Sequence, residues 1–339
     1  MFKSKIQKYL NFLKGKTILI TTHELADLDG VSSSIALNFF LKKLVNNLKI
    51  LIYFSGISKR TELFLERLKQ KFPDFNPIFA DSFENADIDT FFILDTNKLE
   101  NVDEFLSLTQ FQREKCRFFF IDHHFSDRKT INSKENIEGI FLDEYSSTCE
   151  ILVDLFEEFN VSYTDPIRFL LIAGIITDTG YFKFANNHTI QALANLLYDN
   201  IDYQELRLML KTEPDISEKI ARIKGTQRAK MVKFKKWLIG ISHVSSFEAS
   251  VANILIKVGF DVAMVISERE DENRVSIRAK KRICRKTGLH LGKLLESISK
   301  EFKANGGGHD GAASINIAKE EGILKDVILD KIKENLSKQ

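Results

Sequence analysis

The 339 residues are too many for one ordinary domain, and their 44% hydrophobic and 28% charged content is that of a globular protein. A net charge of +2 excludes a molecule that binds polyanions over its whole surface, so any nucleic-acid affinity must come from a local patch. Three widely spaced cysteines, Cys116, Cys149 and Cys284, form no C-x-x-C pair; they argue against a disulfide framework or thiolate zinc site and fit a reducing cytoplasm.

In chain order, MFKSKIQKYLNFLKGK reads as an amphipathic helix with lysines on its polar side. It lacks the apolar core and small-residue cleavage site of a signal peptide. Short apolar runs then alternate with helical patterns. TILITT (17–22), KILIYFS (49–55), NPIFA (76–80), TFFILDT (90–96) and RFFFID (117–122) are the expected strands. GVSSSIALNFFLKKLV and RTELFLERLKQKF are the helices between them. Continuously apolar strands alternating with helices predict a doubly wound α/β domain on a mostly parallel five-stranded sheet. Most of the 28 phenylalanines fall in such runs and are expected in the core.

From 148 the pattern is helical through TCEILVDLFEEF, DPIRFLLIAGIITDTG, TIQALANLLYD, YQELRLMLK and DISEKIARIKGTQRAK. The apolar stretch FLLIAGII (169–176) is far shorter than the roughly 18 residues that suggest a membrane span. A smaller mixed α/β unit follows: strand KWLIGISHV, helix EASVANILIKVG, strands VAMVISERE and RVSIRAKK, helix HLGKLLESISKEF, loop NGGGHDGAA, strand ASINIAK and a final helix. The expected boundaries are a catalytic domain at 1–190, a helical connector at 191–229 and a second domain at 230–339, with an active-site cleft between the domains.

Acids and histidines gather where apolar strands end. His23, Asp27 and Asp29 follow the first strand; Asp95 closes TFFILD; Asp122, His123 and His124 close FFFIDHH; Asp178 follows LLIAGIIT. Any one alone is best read as a helix cap or turn former. Together, four segments deliver carboxylate or imidazole to the carboxyl ends of strands, where open parallel sheets bind ligands. Carboxylates with a minority of imidazoles suit Mn²⁺ or Mg²⁺. There are too many for one ion, and a pair of ions about 3.5–4 Å apart suits phosphoryl transfer. If strand alternation continues, His123 and His124 point apart, and only one reaches a given ion.

HELADLDG, LDTN, IDHH and ITDTGYF resemble the four motifs of the DHH phosphoesterase superfamily, and NGGGHDGAA with VSIRAK resembles its associated C-terminal domain. The resemblance covers nearly the whole chain and is greatest to the two-domain nanoRNase and pAp-phosphatase type. It implies a Mn²⁺-dependent hydrolase, with Mg²⁺ as the alternative, acting on short single-stranded RNA or DNA, pAp or dinucleotides. His23 and Asp27 would bind one metal, Asp29, His123 and Asp178 the other, and Asp95 would bridge them. Asp122 would orient its neighbours and His124 would face the scissile phosphate. A RecJ-like exonuclease on longer strands, or a soluble cyclic or linear dinucleotide phosphodiesterase, is the alternative. A cytoplasmic protein without a membrane partner is expected, and a homodimer fits the reading. Ala26 stands where the family usually has Pro, which should loosen that loop.

In the second domain, Gly306, Gly307 and Gly308 let backbone approach an anion. His309 and Arg278 would add charge to the same phosphate. The run RAKKRICRK is either a solvated basic face or a phosphate groove. Around Lys183, a further candidate substrate contact, Tyr181, Phe182 and Phe184 offer a stacking face to a base, although core packing is expected for at least two of them.

Overall fold

TILIT, TFFIL and RFFFID each pack both faces of a strand. In β1 (Thr17–Thr21), β3 (Thr90–Leu94) and β4 (Arg117–Asp122), alternate side chains enter two different cores. Ile18, Ile20, Phe92, Leu94, Phe119 and Ile121 share one; Leu19, Phe91, Ile93, Phe118 and Phe120 share the other. With β2 (Lys49–Ile52) and β5 (Ile137–Phe141) they form a parallel sheet in the order β2-β1-β3-β4-β5. The computed structural model describes residues 3–83, 86–97, 102, 115–124, 137–197, 201–268, 272–302, 304–318 and 324–337.

The first core is roofed by α1 (Lys3–Leu13), α2 (Leu28–Leu44), α4 (Thr148–Glu158) and α5 (Asp165–Asp178), with α3 (Lys59–Lys71), α6 (Asn187–Leu196) and α7 (Tyr203–Leu210) around it. Phe83, Ile88, Val102 and Cys116 cover the second. The fifth strand is β5 and not the expected NPIFA, which is irregular: Ile78 is exposed there, and only Ala80 N–H reaches Ile52 O. A parallel sheet thus forms from five strands, but its edge is IEGIF, where Glu138 and Gly139 break the apolar run.

The chain divides at 212/213 into two units. The segment expected as a connector is split: α6 and α7 belong to the first unit, and α8 (Ile216–Gln227) to the second. There α8 packs on α9 (Glu248–Val258), close enough that a Cβ on Gly225 would lie 2.4 Å from Val251.

The second unit has a six-stranded mixed sheet in the order β10-β11-β9-β8-β7-β6. Its strands are β6 (Lys230–Phe234), β7 (Trp237–Val244), β8 (Val262–Glu268), β9 (Glu272–Ala279), β10 (Asn305–Gly308) and β11 (Ala312–Ala318). Only β7 and β8, joined through α9, run parallel. One face packs on α10 (Lys281–Thr287), α11 (Leu291–Glu301) and α12 (Leu324–Ser337); the other packs on α8 and α9.

NGGG is an edge strand paired with β11 and not a loop. A Cβ on Gly306 would lie 2.6 Å from Ser299 Oγ, and one on Gly308 2.4 Å from Ala312 O, whereas Gly307 opens onto free space. Packing therefore requires two of the three glycines. No helix among the described residues is long and apolar enough to cross a membrane.

Candidate metal centre

The strand order reverses direction between β1 and β3, which makes their carboxyl ends a topological switch point, the usual ligand crevice of a doubly wound sheet. His23, Asp27 and Asp29 follow β1, Asp95 follows β3, and His123 and His124 follow β4. Asp178 arrives from the C-terminus of α5.

Asp27 is the N-cap of α2, accepting from the N–H groups of Asp29 and Gly30 at 2.9 and 3.1 Å. His23 Nε2 lies 3.9 Å from Asp27 Oδ1 and 3.8 Å from Asp95 Oδ2. His123 Nε2 lies 3.4 Å from Asp95 Oδ1 and 3.2 Å from Asp178 Oδ2. Three groups each hold their donor atoms within 4.8 Å of one another: His23, Asp27 and Asp95; Asp29, His123 and Asp178; and Asp95, His123 and His124. All six side chains expected as metal ligands are thereby brought together, with Asp95 and His123 each common to two groups.

Asp95 is 4% exposed and has φ 59°, a left-handed backbone that Asp tolerates better than most residues. Such conformations concentrate at functional sites. Its carboxyl is pushed well above the ordinary range by burial, then by the charges of Asp29, Asp27 and Asp178. Burial likewise raises Asp29, and burial together with Asp29 raises Asp178 to about 7. Burial also pushes Asp27 upward, but the nearby His23 imidazole and the Gly30 and Asp29 N–H groups outweigh it and hold that carboxyl low.

Crowded buried carboxylates of this kind call for a cation. His123 supplies an independent indication: its Nε2 is buried and has no hydrogen-bond partner, although two carboxylate oxygens stand within 3.4 Å. A buried imidazole nitrogen without a hydrogen-bond partner is suited to ligate a cation. The donors are all oxygen and imidazole nitrogen, the set that suits Mn²⁺ or Mg²⁺. The residues therefore fit a divalent metal pair.

His124 did not follow the expected alternation. β4 stops at Asp122, so the pleat no longer separates the two imidazoles, whose ring centroids are 4.2 Å apart. Both reach towards Asp95, with His124 Nδ1 at 3.8 Å. That nitrogen is also 2.8 Å from Asp122 Oδ1, and this hydrogen bond to a fully buried carboxylate raises the His124 pKa.

Sequence reasoning missed Thr148. Its backbone N–H donates to Asp29 Oδ2 at 2.6 Å, and its hydroxyl donates to Asp95 Oδ1 at 3.1 Å. Cys149 N–H adds a 3.0 Å bond to Asp29 Oδ1. The N-terminus of α4 thus anchors two carboxylates of different groups. The signal was present as Ser147-Thr148-Cys149-Glu150, a capping pattern whose first amides must point at an acceptor. The Ala26 loop is also firmer than expected. Ala26 N–H donates to Gly56 O and Ala26 O accepts from Ser58 N–H, a bridge a proline could not complete.

Lys183 is exposed beside the Phe184 ring. Arg278, Gly306, Gly307, Gly308 and His309 belong to the second unit. The Arg278 guanidinium donates to Ser276 Oγ and Ile277 O, and burial, then Arg274, lowers its pKa. Part of RAKKRICRK folds as α10, and both Lys280 and Arg282 pair with Asp261 at 3.2 Å.

Comparison with known proteins agrees with this architecture. An uncharacterised protein of Methanocaldococcus jannaschii is 31% identical over 95% of this chain and 94% of its own length. An exopolyphosphatase-related protein of Bacteroides fragilis superposes with TM-score 0.67 at 18% identity, covering 98% of this chain and 96% of that one. CDC45 of Entamoeba histolytica gives 0.53 at 10% identity, covering 99% of both; these two likenesses concern the fold alone. The model of the DHH family N-terminal domain matches residues 17–175, and that of the DHHA1 domain matches 249–338. The chain belongs to the DHH family.

Proposed function

We propose that the protein is a Mn²⁺-dependent phosphoesterase that hydrolyses short single-stranded oligonucleotides, pAp or linear dinucleotides. The observation that carries this reading is the buried Asp95 carboxylate, grouped with His23 and Asp27 on one side and on the other with His123, which is itself grouped with Asp29 and Asp178. His23 and Asp27 would hold one ion, Asp29, His123 and Asp178 the other, and Asp95 both. When bound, such a pair neutralises phosphoryl oxygens and makes water a better nucleophile.

The chain's own residues do the rest. Thr148 and the α4 amides fix the Asp29 and Asp95 carboxylates against their mutual repulsion. Asp122 holds His124 Nδ1, which leaves Nε2 to carry a proton to the departing oxygen. Half of the His124 side chain is in solvent, so a substrate can reach it. Arg278, Gly306, Gly307, Gly308, His309 and Lys183 are the proposed contacts to the substrate's phosphates.

The test is a Mn²⁺-dependent time course on pAp and on 5′-labelled RNA and DNA from two to about 25 nucleotides. Turnover confined to pAp and the shortest strands is expected. Processive digestion of the longest strands would replace the short-substrate reading with an exonuclease.

A further inference from the structure

Three aromatic rings stand in solvent just after Asp178. Tyr181, Phe182 and Phe184 are 45%, 37% and 54% exposed, so the expected core packing of at least two of them is corrected. Leaving three large rings outside forgoes burial that aromatic side chains ordinarily supply.

Their backbone is nevertheless tightly held. Helix α5 ends with Gly180 N–H on Thr177 O and Tyr181 N–H on Ile176 O, and the chain turns back with Phe184 N–H on Thr179 O. Thr179 Oγ1 accepts from Phe182 N–H at 3.3 Å, and Ser146 Oγ donates to Phe184 O at 3.2 Å. Gly180, Tyr181 and Phe182 have φ 58°, 58° and 67°. Two bulky residues in succession thus adopt a left-handed conformation that L side chains disfavour. Strain retained in such a hydrogen-bonded turn is of the kind that collects at functional sites.

Positive charge accompanies the rings. Arg60 donates to the Tyr181 hydroxyl, and its guanidinium lies 5.4 Å from that ring's centroid. Lys183 Nζ lies 5.2 Å from the Phe184 centroid. Phe182 leans towards Tyr203, with centroids 6.4 Å apart, and serves as support. Tyr181 follows the candidate ligand Asp178 by three residues, so chain geometry limits their Cα separation to about 11 Å. The rings are thus carried on the segment that directly follows a candidate ligand.

We infer that Tyr181 and Phe184 form a stacking face for a nucleobase, so that the site takes base-bearing phosphoesters in preference to inorganic polyphosphate. A flat π-faced group beside phosphate is the ligand that rings flanked by cations recognise. An inorganic phosphate chain gains nothing from exposed rings. The inference rests on the phosphoesterase reading and adds the base to it.

The full-length protein would be assayed with Mn²⁺ on a dinucleotide, on the same dinucleotide with one base removed, and on tripolyphosphate. Binding of 2-aminopurine riboside monophosphate would be followed separately by its fluorescence in EDTA. Wild type is expected to prefer the intact dinucleotide over both other compounds and to quench 2-aminopurine. Tyr181→Leu and Phe184→Leu should each raise KM for the intact dinucleotide about tenfold, and for the abasic one by much less. Tyr181→Phe, which keeps the ring, should restore quenching.

Unchanged KM in both leucine variants, equal losses on intact and abasic substrates, or a preference for tripolyphosphate would each overturn the stacking face while leaving phosphoester hydrolysis in place. No turnover of any compound by wild type would instead sink the phosphoesterase reading, and the quenching titration would then decide the stacking face by itself.

Discussion

Replacing Thr148 by valine removes one oxygen and leaves the shape of the side chain. The Thr148 N–H bond to Asp29 survives; the 3.1 Å hydroxyl bond to Asp95 does not. Asp95 sits in a left-handed backbone, almost wholly buried, with His23, His123 and His124 nitrogens at 3.4–3.8 Å. A hydrogen bond to a charged group contributes about 1.5–3 kcal/mol. Tenfold in an equilibrium constant is about 1.4 kcal/mol. Losing the group that orients the proposed shared ligand should therefore weaken divalent-metal binding about 10- to 100-fold, the range seen when outer partners of metal ligands are removed. The assay is calorimetric titration of metal-free protein with Mn²⁺, comparing wild type, Thr148→Val and Thr148→Ser. Serine keeps the hydroxyl and should recover most of the affinity. A folded valine variant that binds Mn²⁺ within twofold of wild type would refute the orienting role.

Three further outcomes follow from the same geometry. Gly174→Ala would place a methyl 2.4 Å from Cys149 Sγ and 3.0 Å from Asp29 Oδ1. It should lower stability by about 1–3 kcal/mol in urea unfolding, and an unchanged midpoint would mean the crossing is looser than it looks. Asp178, raised to about 7 by burial and Asp29, binds its proton more tightly folded than unfolded. Its contribution is full below the unfolded value of about 3.9 and is lost as pH rises through about 7, so chelated protein should be less stable at pH 8 than at pH 5. Asp178→Asn should reduce that difference, since Asp95 and Asp29 are raised as well, and equal wild-type midpoints at the two pH values would contradict it. In the second unit, burial pushes Asp261 up, but Leu238 N–H, Lys280 and Arg282 outweigh it and hold its pKa low. That stability is present above about 3.9 and lost as pH falls through the folded value, so Asp261→Asn should depress Tm at pH 7 and much less at pH 3.

The parallel sheet was legible because β1, β3 and β4 are buried on both faces, which leaves an unbroken apolar run in the sequence. β5 was not, because an edge strand can carry Glu138 and a glycine; Gly139 is required where a Cβ would lie 2.8 Å from Phe120 O. NPIFA has strand composition but makes a single hydrogen bond to β2 and no ladder, and composition alone cannot reveal that difference. Most acids and histidines of the candidate metal centre could be listed from strand ends, since the carboxyl edge of a parallel sheet collects them, whereas Asp178 ends helix α5. Thr148 could not be assigned, because its role depends on where α4 begins relative to Asp29 and Asp95, 119 and 53 residues away in the chain. The exposure of Tyr181, Phe182 and Phe184 was hidden for a related reason: aromatic residues after a buried helix read as core unless the left-handed turn that projects them is known.

The most direct test of the proposed dinuclear centre is the number of Mn²⁺ ions bound per chain at equilibrium, measured by elemental analysis after dialysis of wild type and Asp95→Ala. Two ions on wild type, with both weakened together in Asp95→Ala, is the result expected if one carboxylate serves both positions. A single ion on wild type, or loss of only one in the variant, would contradict the shared role of Asp95.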